Sequence, residues 1–104
     1  MYKLCFFVPD THLEPVKSAL FALGAGKMGD YDCCAWQVAG QGQFRPLEGS
    51  VPFIGRQGDV EKLVEYRVEM LVSDEMIKSV IEALLEAHPY EQPAYEYWQV
   101  NPKI

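Results

Sequence analysis

The sequence predicts an α+β fold, a four-stranded antiparallel sheet carrying two helices on one face, with elements in the order β-α-β-β-α-β. Three observations predict it. Residues 2–32, YKLCFFVPDTHLEPVKSALFALGAGKMGDYD, align without gaps on residues 66–96, YRVEMLVSDEMIKSVIEALLEAHPYEQPAYE, a displacement of 64 positions. Matching of this length is the trace of a duplicated supersecondary unit. Within each half the apolar period changes from two to about 3.6 and back, which reads strand, helix, strand. A glycine-rich connection at 40–60 joins the halves.

The first strand places Tyr2, Leu4, Phe6 and Val8 on one face, and its counterpart places Tyr66, Val68, Met70 and Val72 there. The opposite faces differ: Glu65, Arg67 and Glu69 are charged, whereas Cys5 and Phe7 are apolar, so part of the outer sheet face is expected to be covered. The helices follow from Leu13, Val16, Leu20 and Leu23, and from Ile77, Val80, Leu84 and Ala87. Thr11 with Glu14 reads as a capping box for the first helix, and Ser73 or Asp74 as a cap for the second. Pro15 fits only in the first turn. Gly24 and Gly26 end helix one, and the His88-Pro89 step ends helix two, because a residue before proline is pushed out of the helical region. The second strands are expected from about Tyr31 to Ala39 and from about Ala94 to Val100. Right-handed crossovers put both helices on one face of the sheet, giving the split-βαβ or ferredoxin-like arrangement in a single domain, 1–104.

With 104 residues, nearly half of them apolar, the composition is that of an ordinary globular domain. A net charge of −6 with no basic stripe argues against nucleic acid as a partner. Apolar stretches fall short of the ~20 residues a membrane span needs. Three cysteines, Cys5, Cys33 and Cys34, and no leader sequence predict reduced thiols and a cytoplasmic location. Cys33 and Cys34 lack C-x-x-C spacing, and core packing is favoured over a soft-metal site.

His88 and Glu91, in AHPYEQPAYEYW, are the only metal candidates. A metal needs three or more ligands, so the ligand count does not support one, and no cofactor is predicted. On the structural reading, His88 bonds the last carbonyls of its helix and Glu91 bonds backbone amides of the corner. The displacement of 64 places His12 at the end of its motif opposite to that of His88. Arg45 and Glu48 could grip a ligand, pair with each other, or meet another subunit. Gly40 and Gly42 are read as points where the backbone bends, not as a phosphate loop, since no lysine–serine pair or helix follows. No catalytic residue is nominated, because no nucleophile–base arrangement is readable.

YKLCFFVP, ALFALGAGKMGDYDCC, GQGQFRPLEGSVPFIG and LLEAHPYEQPAYEYW together resemble the domain inserted into YqfO-type members of the Nif-three-like family, across essentially the whole chain. The His-Pro-Tyr-Glu-x-Pro corner also resembles that of CutA proteins. The resemblance implies the PII/CutA-like variant of the ferredoxin-like fold, as a stand-alone module. It implies association as well, since PII and CutA proteins are trimers. The dinuclear metal centre of the larger family lies in segments flanking the insert, so no ligand or hydrolytic activity carries over to a residue here. The expectation is a small oligomeric module with a regulatory, ligand-, metal- or partner-binding role, a homotrimer ahead of a dimer. The alternative is a small enzyme with a site between subunits. Phe44, Phe53, Ile54, Tyr95, Tyr97 and Trp98 are the expected interface residues, with Trp36, Trp98, Tyr95 and Tyr97 on the strands of the bare sheet face.

Overall fold

A computed structural model describes residues 1–103. Its elements are β1 (Tyr2–Pro9), a 3-10 turn (Asp10–His12), α1 (Leu13–Phe21), β2 (Trp36–Phe44), β3 (Glu61–Val72), α2 (Ile77–Ala87) and β4 (Tyr95–Gln99). The four strands form one antiparallel sheet in the order β2-β3-β1-β4. Both helices lie on one face, the expected ferredoxin-like arrangement.

The core sits where the two periods meet. Leu4, Phe6 and Val8 of β1 and Val68, Met70 and Val72 of β3 are buried against Val16 and Leu20 of α1 and Val80 and Leu84 of α2. Each member of the first half is displaced by 64 from one of the second, so the alignment describes the strand–helix part of each unit. It does not describe the second strands. Tyr95 opens β4, but Tyr31 lies in a turn, bridged to Met28, and β2 begins five residues later at Trp36. The gapless duplication therefore fails beyond the helices.

The cause is local. Gly24 adopts φ +92 and closes α1 in a Schellman arrangement, with Ala25 N–H donating to Leu20 O and Gly24 N–H to Phe21 O. Gly26 N–H then bonds Leu71 O, and Cys34 N–H bonds Gly26 O, which pins the chain beside β3 before a strand can start. A Cβ on Gly26 would crowd the Cys34 backbone, so this approach needs glycine.

Other local expectations are also corrected. Neither helix has a side-chain cap: Thr11 Oγ1 bonds His12 Nδ1, and Asp74 takes the amino terminus instead. Cys33 is exposed at φ +54 and Cys34 half-buried, so neither is a core residue; Cys5 is buried, and all three are free thiols. Gly40 and Gly42 lie inside β2, which runs to Phe44, so the connection is confined to 45–60.

Register decides which aromatics face outward. Trp36 pairs with Glu69, and Trp98 with Lys3, on the face away from the helices. Tyr95 and Tyr97 pair with Phe6 and Leu4, so they stand on the helix side, contrary to expectation; Tyr97 makes an edge contact with Tyr2. The outer face has a charged centre, with Arg67 Nε 3.1 Å and Lys3 Nζ 3.8 Å from the Glu69 carboxylate. Cys5 lies buried beneath these charges, and its burial pushes the thiol pKa up.

Candidate functional site

β1 and β3 run antiparallel, and so do the helices that follow them. The start of α1 therefore comes beside the end of α2. His12 and His88, at opposite ends of their own motifs as expected, thus lie at the same end of the molecule. Phe53 reaches His12 there, ring centroids 5.4 Å apart. The same end collects the start of β3, the 45–60 connection and the 88–94 corner, and between them opens a cavity of about 620 Å3. That volume lies in the range of small-molecule sites.

The corner is assembled from His88 outward. His88 ends α2 in extended geometry, φ −73 and ψ 137, while its backbone N–H still closes the last turn on Leu84 O. Its ring turns inward. Nε2–H donates to Phe7 O at 2.7 Å, a carbonyl of β1 and not of its own helix. Nδ1 accepts from the Tyr90 N–H at 3.1 Å. Both ring nitrogens are thus committed in a neutral tautomer, and burial holds the imidazole pKa below its ordinary 6.5. A ring so committed has no lone pair to offer a metal. Among the described residues, no group of three or more histidines, cysteines, aspartates or glutamates is placed to hold one.

Tyr90 was not singled out from the sequence, yet it is the hub. Its hydroxyl donates to Glu65 Oε2 at 2.7 Å, and its ring contacts His88, Phe44 and Phe53. Burial, then the bond to Glu65, pushes the phenol pKa far up, so it remains a donor. Glu65, whose polar contact is the Tyr90 hydroxyl, stands on the charged outer face of β3. It leans over Gly42, where a Cβ would overlap its carboxylate, so glycine at 42 makes room for a side chain and does not bend the strand. The only sequence signal for Tyr90 was its position between the two candidates His88 and Glu91.

Glu91 lines the cavity and ties the corner to the connection. Its Oε1 accepts from the Val51 N–H at 2.9 Å, 40 residues away in the connection, not from the corner's own amides. The connection is tied internally too, by Gly58 N–H to Pro46 O and Gln57 Nε2 to Ser50 O. Phe44 and Phe53, expected at a subunit interface, pack on Tyr90 of the same chain, and Ile54 lines the cavity with them. Arg45 and Glu48 also line it, and no ion pair joins either to another described residue. Three of the four nominated binding residues, Arg45, Glu48 and Glu91, thus border one cavity. His88 supports it from below.

No family model matches the chain. A protein of Halalkalibacterium halodurans named GTP cyclohydrolase 1 type 2 homolog is 43% identical over 98 residues, covering 94% of this chain and 26% of that protein. A solved Bacillus cereus protein related to NIF3 superposes with a TM-score of 0.82 at 37% identity, over 97% of this chain and 26% of that one. The chain is homologous to one domain of the Nif-three-like proteins. It spans about a quarter of the length of the curated relatives it matches. CutA1 of Pyrococcus horikoshii superposes with a TM-score of 0.71 over 100% of this chain and 87% of that one. At 18% identity this likeness concerns the fold, which is PII/CutA-like. Among the described residues, no helix is long and apolar enough to cross a membrane.

Proposed function

We propose that this Nif-three-like domain is a self-associating binding module whose ligand site is the cleft between the 45–60 connection and the 88–94 corner. The observation that carries the reading is the cleft itself. One wall is held by Tyr90 on Glu65 and the other by Glu91 on Val51, so the cavity is built before any ligand arrives. Pre-built walls that also carry Arg45 and Glu48, neither of them in an ion pair among the described residues, favour binding.

The chemistry at the cleft favours binding over turnover. Its histidine has both nitrogens engaged, and the Ser50 hydroxyl donates to Leu47 O at 2.6 Å instead of to a base. The relatives' name refers to whole proteins of which this chain matches about a quarter, and their activity is not carried into the proposal. Association is supported by the exposed Trp36, Val38 and Trp98 on the outer sheet face, and the PII/CutA-like fold is the reason for placing a trimer ahead of a dimer.

Calorimetry and thermal shift against divalent metals, Cu(I) and nucleotides, with product analysis in parallel, test the reading. Saturable binding without product supports the module. A binding-dependent reaction would favour the alternative, an enzyme with a site between subunits.

A further inference from the structure

We infer that the cleft takes a small organic ammonium compound, a primary amine carried on a flat apolar body; this inference rests on the cleft being the binding site. Two independent features of the lining point to that chemistry. The first is charge. Glu48, Glu65 and Glu91 face the cavity against the single cation Arg45. Two of these carboxylates are fixed by one oxygen each: Glu65 Oε2 accepts from the Tyr90 hydroxyl, and Glu91 Oε1 accepts from the Val51 amide. Glu91 keeps its second oxygen free of that bond, Glu65 sets its Oε1 over Gly42, and Glu48 makes no ion pair among the described residues. An ammonium group donating to such oxygens forms charge-assisted hydrogen bonds, while an anion meets net repulsion.

The second feature is aromatic. Phe44 and Phe53 flank Tyr90, ring centroids 6.0 and 6.4 Å from it, and none of these rings is fully buried. Their faces suit a flat apolar body and attract a cation lying over them. The excess of carboxylates sets the charge of the ligand and the rings set its shape. The volume of about 620 Å3 accommodates a bicyclic amine.

The test uses two probes that share a body and differ in charge, tryptamine and indole-3-propionate. Each is titrated into the 15N-labelled full chain with amide shifts recorded, and affinities are taken from calorimetry. Tryptamine is expected to bind, to perturb amides at 44–54 and 90–94, and to weaken as salt screens the carboxylates. Glu48→Gln with Glu91→Gln removes two of the three carboxylates, and glutamine at 91 keeps an acceptor for Val51. This pair should weaken tryptamine about tenfold or more. Equal or tighter binding of indole-3-propionate in the cleft would overturn the ammonium assignment and leave the cleft standing as a site. Unchanged tryptamine affinity in the double variant, or no binding of either probe, would overturn the assignment as well. Tryptamine shifts confined to the Trp36 and Trp98 face would instead overturn the cleft as the site.

Discussion

Removing the Tyr90 hydroxyl leaves the Glu65 carboxylate without its donor and unties one wall of the cleft, while the ring contacts remain. Because Glu65 is only partly buried, water replaces much of the bond. Tyr90→Phe is therefore expected to lower unfolding free energy by about 1 kcal/mol, measured by urea denaturation, with a larger effect on ligand affinity. His88 predicts a pH dependence. Its folded pKa lies below the ordinary 6.5, chiefly through burial; the Phe7 carbonyl and Glu65 pull it up, and His12 pushes it down. The unfolded chain therefore binds the proton first as pH falls. The stability is fully present above about 6.5 and is lost as pH drops toward the folded pKa, at no more than about 1.4 kcal/mol per pH unit. Denaturant titrations across this range should show the slope, and His88→Gln should flatten it. At this scale the sequence was half legible. His88 and Glu91 stood out because prolines bracket them. Their partners, Phe7 O, Glu65 and Val51, lie on elements far away in the chain, and no local pattern pairs them.

Among the elements, β1, β3, α1 and α2 were legible because each buries a single stripe whose period survives in the sequence. Equivalent core positions should then behave alike: Leu20→Ala and Leu84→Ala, both fully buried, are each expected to cost about 2–5 kcal/mol. β2 was misplaced because its start is set by the Gly26–Leu71 and Cys34–Gly26 bonds and its end by pairing of Phe44 with Glu61. Neither leaves an apolar alternation, and Gln41, Gly42 and Gln43 read as loop. The same strand carries a specific prediction. Gly42→Ala should push the Glu65 carboxylate aside and release Tyr90, reproducing the affinity loss of Tyr90→Phe. If ligand affinity in Gly42→Ala equals that of the wild type, Glu65 does not depend on the glycine.

The whole molecule, 47 × 24 × 22 Å, is drawn out by the β2–β3 hairpin, and its outer sheet face presents two tryptophans around a charged centre. Each large aromatic buried there on association would contribute roughly 1.5–3 kcal/mol. Light scattering at micromolar concentration should therefore return a multiple of 11.8 kDa. Trp98→Glu should reduce it to the monomer mass; an unchanged mass would place the interface elsewhere. The central claim is that ligands bind in the cleft, where Phe7, Phe44 and Glu65 at one end of this face meet the connection and the corner, and not around Trp36 and Trp98. A fragment screen read by 15N NMR, using several hundred or so small molecules of mixed charge, tests it most directly. The account predicts that hits shift amides at 44–54 and 90–94. Hits that shift only the amides around Trp36 and Trp98, or a screen without hits, would contradict it.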